Sequence, residues 1–550
     1  MTKRRHPGTP ENSPDDPLFH RDHARPVTRR DFLAQGFISG TGLALGGSLF
    51  SLFANPREAH ALLSNDLRTL ASNNTDCTLG GLGVGIPFFC FDLAGGSNMI
   101  GSNVLAGGQG GHFNSQISTA GYSKMGIPGD MVPGTTEASP PLNGPLQDTV
   151  TSNGFFEDTT LGLPFHSDSG FLRGILEKIS LVGTAPNING AVIPARSDND
   201  TGNNPHNPMY GIAKTGSDGS IVTLIGSRNS ESGGNSMAPA GMVDTTIRPT
   251  KVDRPSDVTG MVDTGNLTAV LSDPEDVKAV MESVVRLSDK KVEKITADTV
   301  VKDLVKCGYL KAADIAERFA GENIDPSEDA DIVNQDLTDL DTERGTAIFS
   351  RDEFNSDNEF RKTASVMKMV IDGYAGAGTI TMGGYDYHTG DRAVGEVRDE
   401  RAGKCIGACL EYAAKRTAAG FPTPLMIYVC SDGSVASNGT IDTSPNGRNK
   451  GVWTGDNSST AGSFFLVYNP NGQPQLRNAL SQQIGWFRTS DGSVETASSP
   501  AANNVNLLVD VVLLNYLALS GQQTQFTNLF GNRLGNSTAM DALTAFIPLS

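Results

Sequence analysis

The chain has few of the residues from which metal clusters and disulfide scaffolds are built. Its 550 residues include only six cysteines and eight histidines. No two CxxC pairs lie close together, which excludes a zinc ribbon. We expect most of the cysteines to be buried core residues, and one oxidised pair after export is the alternative for two of them. The cysteines are Cys77, Cys90, Cys307, Cys405, Cys409 and Cys430.

Long apolar runs and positive charge are also scarce. Only residues 37–54 form a charge-free apolar stretch near the length of a membrane span, and their glycine, serine and threonine content weakens it. The formal net charge is −18, and so acidic a surface repels nucleic-acid phosphates and anionic lipids. We therefore expect no nucleic-acid partner and no membrane span in the mature chain, and we expect cations as partners.

A pair of arginines precedes the apolar stretch. Arg29 and Arg30 are followed by an acidic residue and then an apolar pair, and Ala59-His60-Ala61 provides a small-x-small cleavage site. This order is typical of a twin-arginine signal peptide, so we predict that residues 1–61 are a disordered N-region plus signal. The twin-arginine translocase would be the partner during export to the periplasm or the extracellular space. A membrane anchor is the alternative.

Residues 62–550 show the pattern of an α/β domain. Short apolar runs bounded by turn residues predict buried strands, at 86–91, 179–182, 221–225, 379–382, 425–430 and 463–468. Apolar residues spaced three or four apart predict helices, at 171–178, 274–287, 299–319, 360–374, 391–419 and 505–519. This alternation predicts a three-layer α/β sandwich with a mostly parallel sheet, and a helical segment around 268–375.

Polar side chains follow several of the predicted strands. Ligands bind at the carboxyl ends of parallel strands, and Asp92, Asp386, His388 and Asp432 come at or shortly after such ends. Oxygen and imidazole ligands together suit a divalent metal ion such as zinc or manganese, with calcium also open. The alternative is that these residues only make turns. Asp456 precedes a predicted strand, so we expect it to point elsewhere unless its loop folds back.

A metal-activated hydroxyl is expected in the loop after the first strand. Ser97 and Ser102 are the candidate catalytic nucleophiles there, because a metal ion can lower the pKa of a hydroxyl group. The alternative is that both serines are turn residues. His112 and His206 are candidates for additional ligands, or else surface or capping histidines.

The run GGYDYH at 383–388 resembles the GG-[FW]-D-x-H signature of the exported proteins called domain of unknown function 1501. That family is related to alkaline phosphatases and sulfatases, and its members commonly carry twin-arginine signals. Four shorter segments look like other motifs of the family, at 93–98, 204–207, 430–433 and 455–457. The resemblance covers roughly residues 85–470 and implies an alkaline phosphatase-like fold with a metal site.

Two departures from the family pattern bear on function. Asn98 stands where the family usually has Asp, and Asn457 stands where a His is expected. Three functions therefore stay open: a metal-dependent hydrolase of phosphate or sulfate esters, a non-catalytic binding or scaffold protein of the cell envelope, and an accessory of a general protein-secretion pathway. Fold alone does not decide among them.

Overall fold

The structure is a computed structural model that describes most of the chain after residue 63. The described residues are 64–72, 85–135, 155–197, 204–262, 274–294, 296, 302–303, 305–310, 312–313, 324–336 and 341–549. The predicted N-region and signal at 1–61 lie outside them.

A mixed β-sheet forms the centre of the molecule. The strands of the described residues are β1 Phe88–Gly96, β2 Glu157–Asp158, β3 Phe165–His166, β4 Ile188–Pro194, β5 Val222–Gly226, β6 Thr250–Lys251, β7 Ala375–Met382, β8 Leu425–Gly433, β9 Val435–Asp442, β10 Lys450–Asp456 and β11 Gly462–Tyr468. Seven of them make one sheet in the order β4–β11–β8–β1–β7–β5–β6. From β8 to β6 all neighbouring strands are parallel, and β11 runs antiparallel to both β8 and β4.

Helices cover both faces of this sheet. Those of the described residues are α1 Asn65–Ser72, α2 Thr119–Lys124, α3 Gly170–Lys178, α4 Met209–Lys214, α5 Pro255–Val262, α6 Pro274–Glu293, α7 Arg351–Ser356, α8 Asn358–Ile371, α9 Arg392–Ala418, α10 Val505–Leu519, α11 Phe526–Phe530 and α12 Ser537–Ala542. The described residues within the predicted helix 299–319 are helical as well. Of these helices, α3, α8 and α9 pack on one face and α4 and α10 on the other.

The central strand shows why the sheet needs two covering layers. Successive side chains of a strand point to opposite faces, and in β1 Phe89, Phe91 and Leu93 enter the core with α9, while Phe88 and Cys90 enter the core with α10. All five are at 0% exposure. A strand that is apolar on both sides is stable only when both faces are covered. The predicted three-layer α/β sandwich is thus confirmed.

One predicted strand is wrong. Residues 180–184 form a turn after α3, and Leu181 and Val182 are 46% and 90% exposed. The strand of this region lies later, at β4, which the sequence analysis missed. The hairpin of β9 and β10 was also missed.

None of the helices in the described part of the chain combines the length and the apolar character that crossing a bilayer requires.

Candidate metal centre

The carboxyl edge of the parallel strands gathers the predicted ligands. β1, β7 and β8 are neighbours and run in the same direction, so their carboxyl ends meet. Asp92 lies in the middle of β1 and Asp432 is the next-to-last residue of β8, whereas Asp386 and His388 follow β7 in a short loop.

Three side chains at this edge converge on one point. The Nδ1 atom of His388 lies 2.5 Å from Oδ1 of Asp386 and 2.9 Å from Oδ1 of Asp456. In the described part of the chain, this is the one group of three or more His, Cys, Asp or Glu side chains whose ligand atoms all lie within 4.8 Å of one another. We call Asp386, His388 and Asp456 the triad.

The loop after β7 directs its side chains alternately outward and inward. It begins with an exposed Gly383-Gly384 turn in which Gly384 has a φ of +86°, a conformation that favours glycine. Tyr385 and Tyr387 then point into the core, each 1% exposed, while the side chains of Asp386 and His388 are 58% and 29% exposed. The sequence alternation of polar and aromatic residues therefore sets which side chains face the solvent.

The chemistry of the triad suits a divalent cation. The Nδ1 atom of His388 is buried and makes no hydrogen bond to either carboxylate, although both lie within contact distance. One imidazole nitrogen and two carboxylate oxygens are the mixed ligand set that zinc and manganese accept. Because Asp386 and Asp456 are half exposed, the solvent side leaves room for water or substrate as further ligands.

The hairpin explains how Asp456 reaches the triad. β10 runs antiparallel to β9, and its register places Asp456 opposite Val435, directly after β8. The chain thus returns to the edge at which β8 ends. The sequence did contain a turn signal, Pro445-Asn446-Gly447, which would have allowed the fold-back to be predicted.

Asp92 and Asp432 form a second carboxylate group, which is closed to solvent. Both residues are 0% exposed. The Ser236 hydroxyl lies 2.9 Å from Oδ1 of each, and the backbone N–H of Ser236 donates to Oδ2 of Asp92 at 2.8 Å. The Asn235 side chain donates to Oδ2 of Asp432 at 2.6 Å. Burial, reinforced by the neighbouring charge of Asp92, raises the pKa of Asp432 to about 7, and burial raises the pKa of Asp92 as well.

The two groups meet at the end of β1. The N–H of Gly95 donates to Oδ2 of Asp432 at 3.2 Å, and a Cβ atom on Gly95 would lie 2.4 Å from the backbone nitrogen of Asp386. The structure therefore brings the predicted ligands together as two adjacent pairs, Asp386 with His388 and Asp92 with Asp432. The predicted single ion held by all four stays a prediction. Asp456 reaches the site because its loop folds back, which was the stated exception to the expectation that it points elsewhere, and Ser236 was missed.

The two candidate nucleophiles are buried side chains. Ser97 is 0% exposed and its hydroxyl is 3.0 Å from that of Tyr387. Ser102 is 1% exposed and donates to the side-chain oxygen of Asn98. In this arrangement neither hydroxyl faces the solvent, and their catalytic role stays a prediction.

The two additional candidate histidines are both buried. The ring nitrogens of His112 contact Glu157 at 2.8 Å and the hydroxyl of Tyr122 at 3.2 Å. His206 is 3% exposed, and neither of its ring nitrogens has a hydrogen-bond partner among the described residues. Burial lowers its pKa to about 4, so the ring is neutral at pH 7.

The fold and the triad together define a three-layer α/β protein with a candidate metal centre at the carboxyl edge of its sheet. Comparison of the chain with models of protein families, with curated proteins and with solved structures finds no match.

Proposed function

We propose that the chain is an exported, metal-dependent hydrolase of phosphate or sulfate esters. The observation that carries the proposal is the triad: Nδ1 of His388 lies within 2.9 Å of oxygens from two carboxylates at an exposed position. A divalent ion at such a site activates a water molecule or hydroxyl and neutralises negative charge on the transferred group. The resemblance of residues 383–388 to the family called domain of unknown function 1501 supports the same reaction class.

Export is part of this proposal. The Arg29-Arg30 pair supports the twin-arginine route. Cys307 takes part in a disulfide, and disulfides persist in oxidising compartments such as the periplasm. Both features favour a destination outside the cytoplasm.

A second candidate function is a non-catalytic, cation-binding protein of the cell envelope. Two observations favour it: Ser97 and Ser102 are buried, and Ser236 together with Asn235 closes the Asp92–Asp432 pair. Such a protein would hold the ion at the triad without turning over an ester.

Metal binding by triad variants tests both candidates. We expect the purified protein to bind Zn²⁺ or Mn²⁺ in a one-to-one ratio by calorimetry. Asp386→Asn and His388→Gln should weaken that binding by more than about 100-fold, because loss of an outer-shell partner alone costs about 10–100-fold. Asp130→Asn, at an exposed carboxylate outside the triad, is the matched control and should bind as the wild type does.

Turnover then separates the two candidates. Hydrolysis of aryl phosphates or aryl sulfates that requires added metal and is lost in Asp386→Asn supports the hydrolase. Stoichiometric binding without turnover of either ester supports the binding protein. Wild-type protein that binds neither ion overturns both proposals.

A further inference from the structure

The two chain segments that carry the triad come from different parts of the fold. Residues 383–390 follow β7 and carry Asp386 and His388, whereas β10 carries Asp456. The three ligands of the triad can meet only if the two segments are held in fixed positions relative to each other. Both of them pack against the first turns of helix α9.

Tyr387 connects the first segment to the helix. It stands between the two ligands of that segment, is 1% exposed, and its hydroxyl donates to Oδ1 of Asp399 at 3.0 Å. The other oxygen of Asp399 accepts a hydrogen bond from the Asn103 side chain at 2.9 Å. Asp399 is therefore held on both oxygens and gives Tyr387 a fixed partner.

Lys450 connects the second segment to the same helix. It is the first residue of β10, is 0% exposed, and its ammonium group lies 2.8 Å from Oε1 of Glu396. It also lies 3.3 Å from Oδ2 of Asp168. Arg448, two residues earlier, donates from Nε to Oδ1 of Asp168 at 2.7 Å. The hairpin is thus anchored by buried, charge-assisted hydrogen bonds, which are the stronger kind.

Glu396 and Asp399 lie three residues apart and so on one face of α9. Between the two segments themselves, the N–H of Gly390 donates to the carbonyl of Trp453 at 2.7 Å. A Cβ atom on Gly395 would lie 2.9 Å from the Tyr387 ring and 3.1 Å from Nε1 of Trp453. One turn of the helix therefore contacts both ligand-bearing segments at once.

We propose that Tyr387 and Lys450 are positioning residues that hold the two segments of the triad at cation-binding distance by bonding to Asp399 and Glu396 of helix α9. The proposal rests on the proposed function for its metal-binding part. Tyr387 and Lys450 touch neither the ion nor the substrate. They act through the ligands Asp386, His388 and Asp456.

Two single substitutions test the proposal, each with a matched control from the same fold. Tyr387→Phe removes only the hydroxyl. Tyr412→Phe removes the same group from a buried tyrosine that lies within α9 and whose hydroxyl donates to Asp329 at 2.9 Å. Lys450→Met leaves Glu396 paired with Arg173 and Arg392. Its control is Lys368→Met, which removes a buried lysine paired with Asp329 and Asp372.

The first measurement is the affinity for Co²⁺ alone, by calorimetry, with the visible spectrum of the bound ion. We expect Tyr387→Phe and Lys450→Met each to weaken binding about 10–100-fold and to change the spectrum, as loss of an outer-shell partner does. The two controls should keep both the wild-type affinity and the wild-type spectrum. Equal weakening in test and control variants would show a general loss of stability and overturn the proposal.

The second measurement uses the metal-free protein, so its outcome does not depend on the proposed function. Hydrogen exchange followed by mass spectrometry should be faster at residues 383–390 in Tyr387→Phe and at residues 450–456 in Lys450→Met. The controls should leave both segments as protected as in the wild type. Unchanged protection in the test variants overturns the anchoring. If the wild type binds no Co²⁺ but the test variants show the faster exchange, only the proposed function is overturned.

Discussion

At the scale of single residues, two buried histidines differ in how their ring nitrogens are satisfied. Burial lowers the pKa of both His166 and His206 to about 4. His166 contacts the carbonyl of Met131 through Nε2 at 2.9 Å and accepts from the N–H of Asp168 at 3.1 Å. For His206 the described residues offer neither nitrogen a hydrogen bond. A buried polar group without a partner costs stability.

We predict that His206→Leu is neutral or stabilising at pH 7, whereas His166→Leu is destabilising because it leaves the Met131 carbonyl and the Asp168 N–H without partners. Each lost partner costs about 1–3 kcal/mol. Chemical unfolding of both variants at pH 7 measures the difference. A large destabilisation by His206→Leu would contradict the prediction and show that the His206 ring has a bound partner.

His206 also makes the free energy of unfolding depend on pH, with a sign that follows from its lowered pKa. In the unfolded chain a histidine takes up a proton below its ordinary pKa of 6.5, but folded His206 does so only near pH 4. The free energy of unfolding therefore falls as the pH decreases from 6.5 to 4, by on the order of 3 kcal/mol for this residue. We expect His206→Leu to flatten that decline in urea-unfolding experiments. A decline equal to that of the wild type would contradict it.

At the scale of elements, position 395 in α9 requires glycine because neighbouring side chains leave no space for a Cβ atom. Its backbone conformation is not the reason. Alanine at this position would place a methyl group 2.9 Å from the ring of Tyr387. Gly260 in α5 is the matched case, since a Cβ atom there meets none of the described residues within 4 Å.

We predict opposite signs for the same substitution at these two glycines. Gly260→Ala should raise the free energy of unfolding by about 0.4–1 kcal/mol, because alanine restricts the unfolded chain. Gly395→Ala should lower it by about 1–3 kcal/mol, because overpacking outweighs the gain in helix propensity. Thermal and chemical unfolding measure both effects. Stabilisation by Gly395→Ala would show that the rings of Tyr387 and Trp453 move aside without lowering the free energy of unfolding.

The elements also show which parts of the fold the sequence predicts. The strands β1 and β8 are continuous apolar runs buried on both faces, so composition alone predicts them. β4 escapes detection because Asn189 and Gly190 interrupt its apolar pattern. Gly190 is needed there, since a Cβ atom would lie 2.7 Å from the side chain of Leu466. Leu181 and Val182 are apolar, which in the sequence is typical of a buried strand. In the structure they are exposed and lie in a turn.

The candidate site is predictable to a similar degree. Asp386 and His388 are found from the sequence because they bracket one residue after a strand. Asp456 depends on an antiparallel hairpin, whose turn is indicated by Pro445-Asn446-Gly447 although the strand-end rule alone does not predict its return. Ser236, whose hydroxyl contacts both Asp92 and Asp432, lies in an irregular loop and carries no sequence signal. Contacts made by loop geometry are thus the part that local patterns do not contain.

At the scale of the whole molecule, the cysteines differ in whether they are disulfide-bonded or free. Cys307 is disulfide-bonded, and the one cysteine outside the described residues is Cys77. The other four cysteines are free and fully buried: Cys90, Cys405, Cys409 and Cys430. Burial raises the pKa of the Cys405 thiol to about 12, which suppresses the reactive thiolate.

Cys90 and Cys430 are two of the free thiols, and their sulfurs lie 4.0 Å apart. Their strands are paired so that Cys90 lies opposite Tyr428 and Cys430 lies opposite Asp92, a stagger of two residues. A strand spacing of about 4.8 Å and a rise of about 3.3 Å per residue then separate their Cα atoms by roughly 8 Å. A disulfide needs Cα atoms within about 7 Å, so the sheet register opposes a bond here.

We therefore predict four free thiols per chain in protein isolated from an oxidising compartment. Thiol titration should give none in the native state, since all four are fully buried, four after denaturation without reductant, and six after reduction. Cys307→Ser is the control, because it removes the bonded cysteine, and its denatured form should show five thiols. A count of two in the denatured wild type would mean that two of the buried thiols had joined despite the stagger, and the strand register at Cys90 and Cys430 would have to differ from the one described.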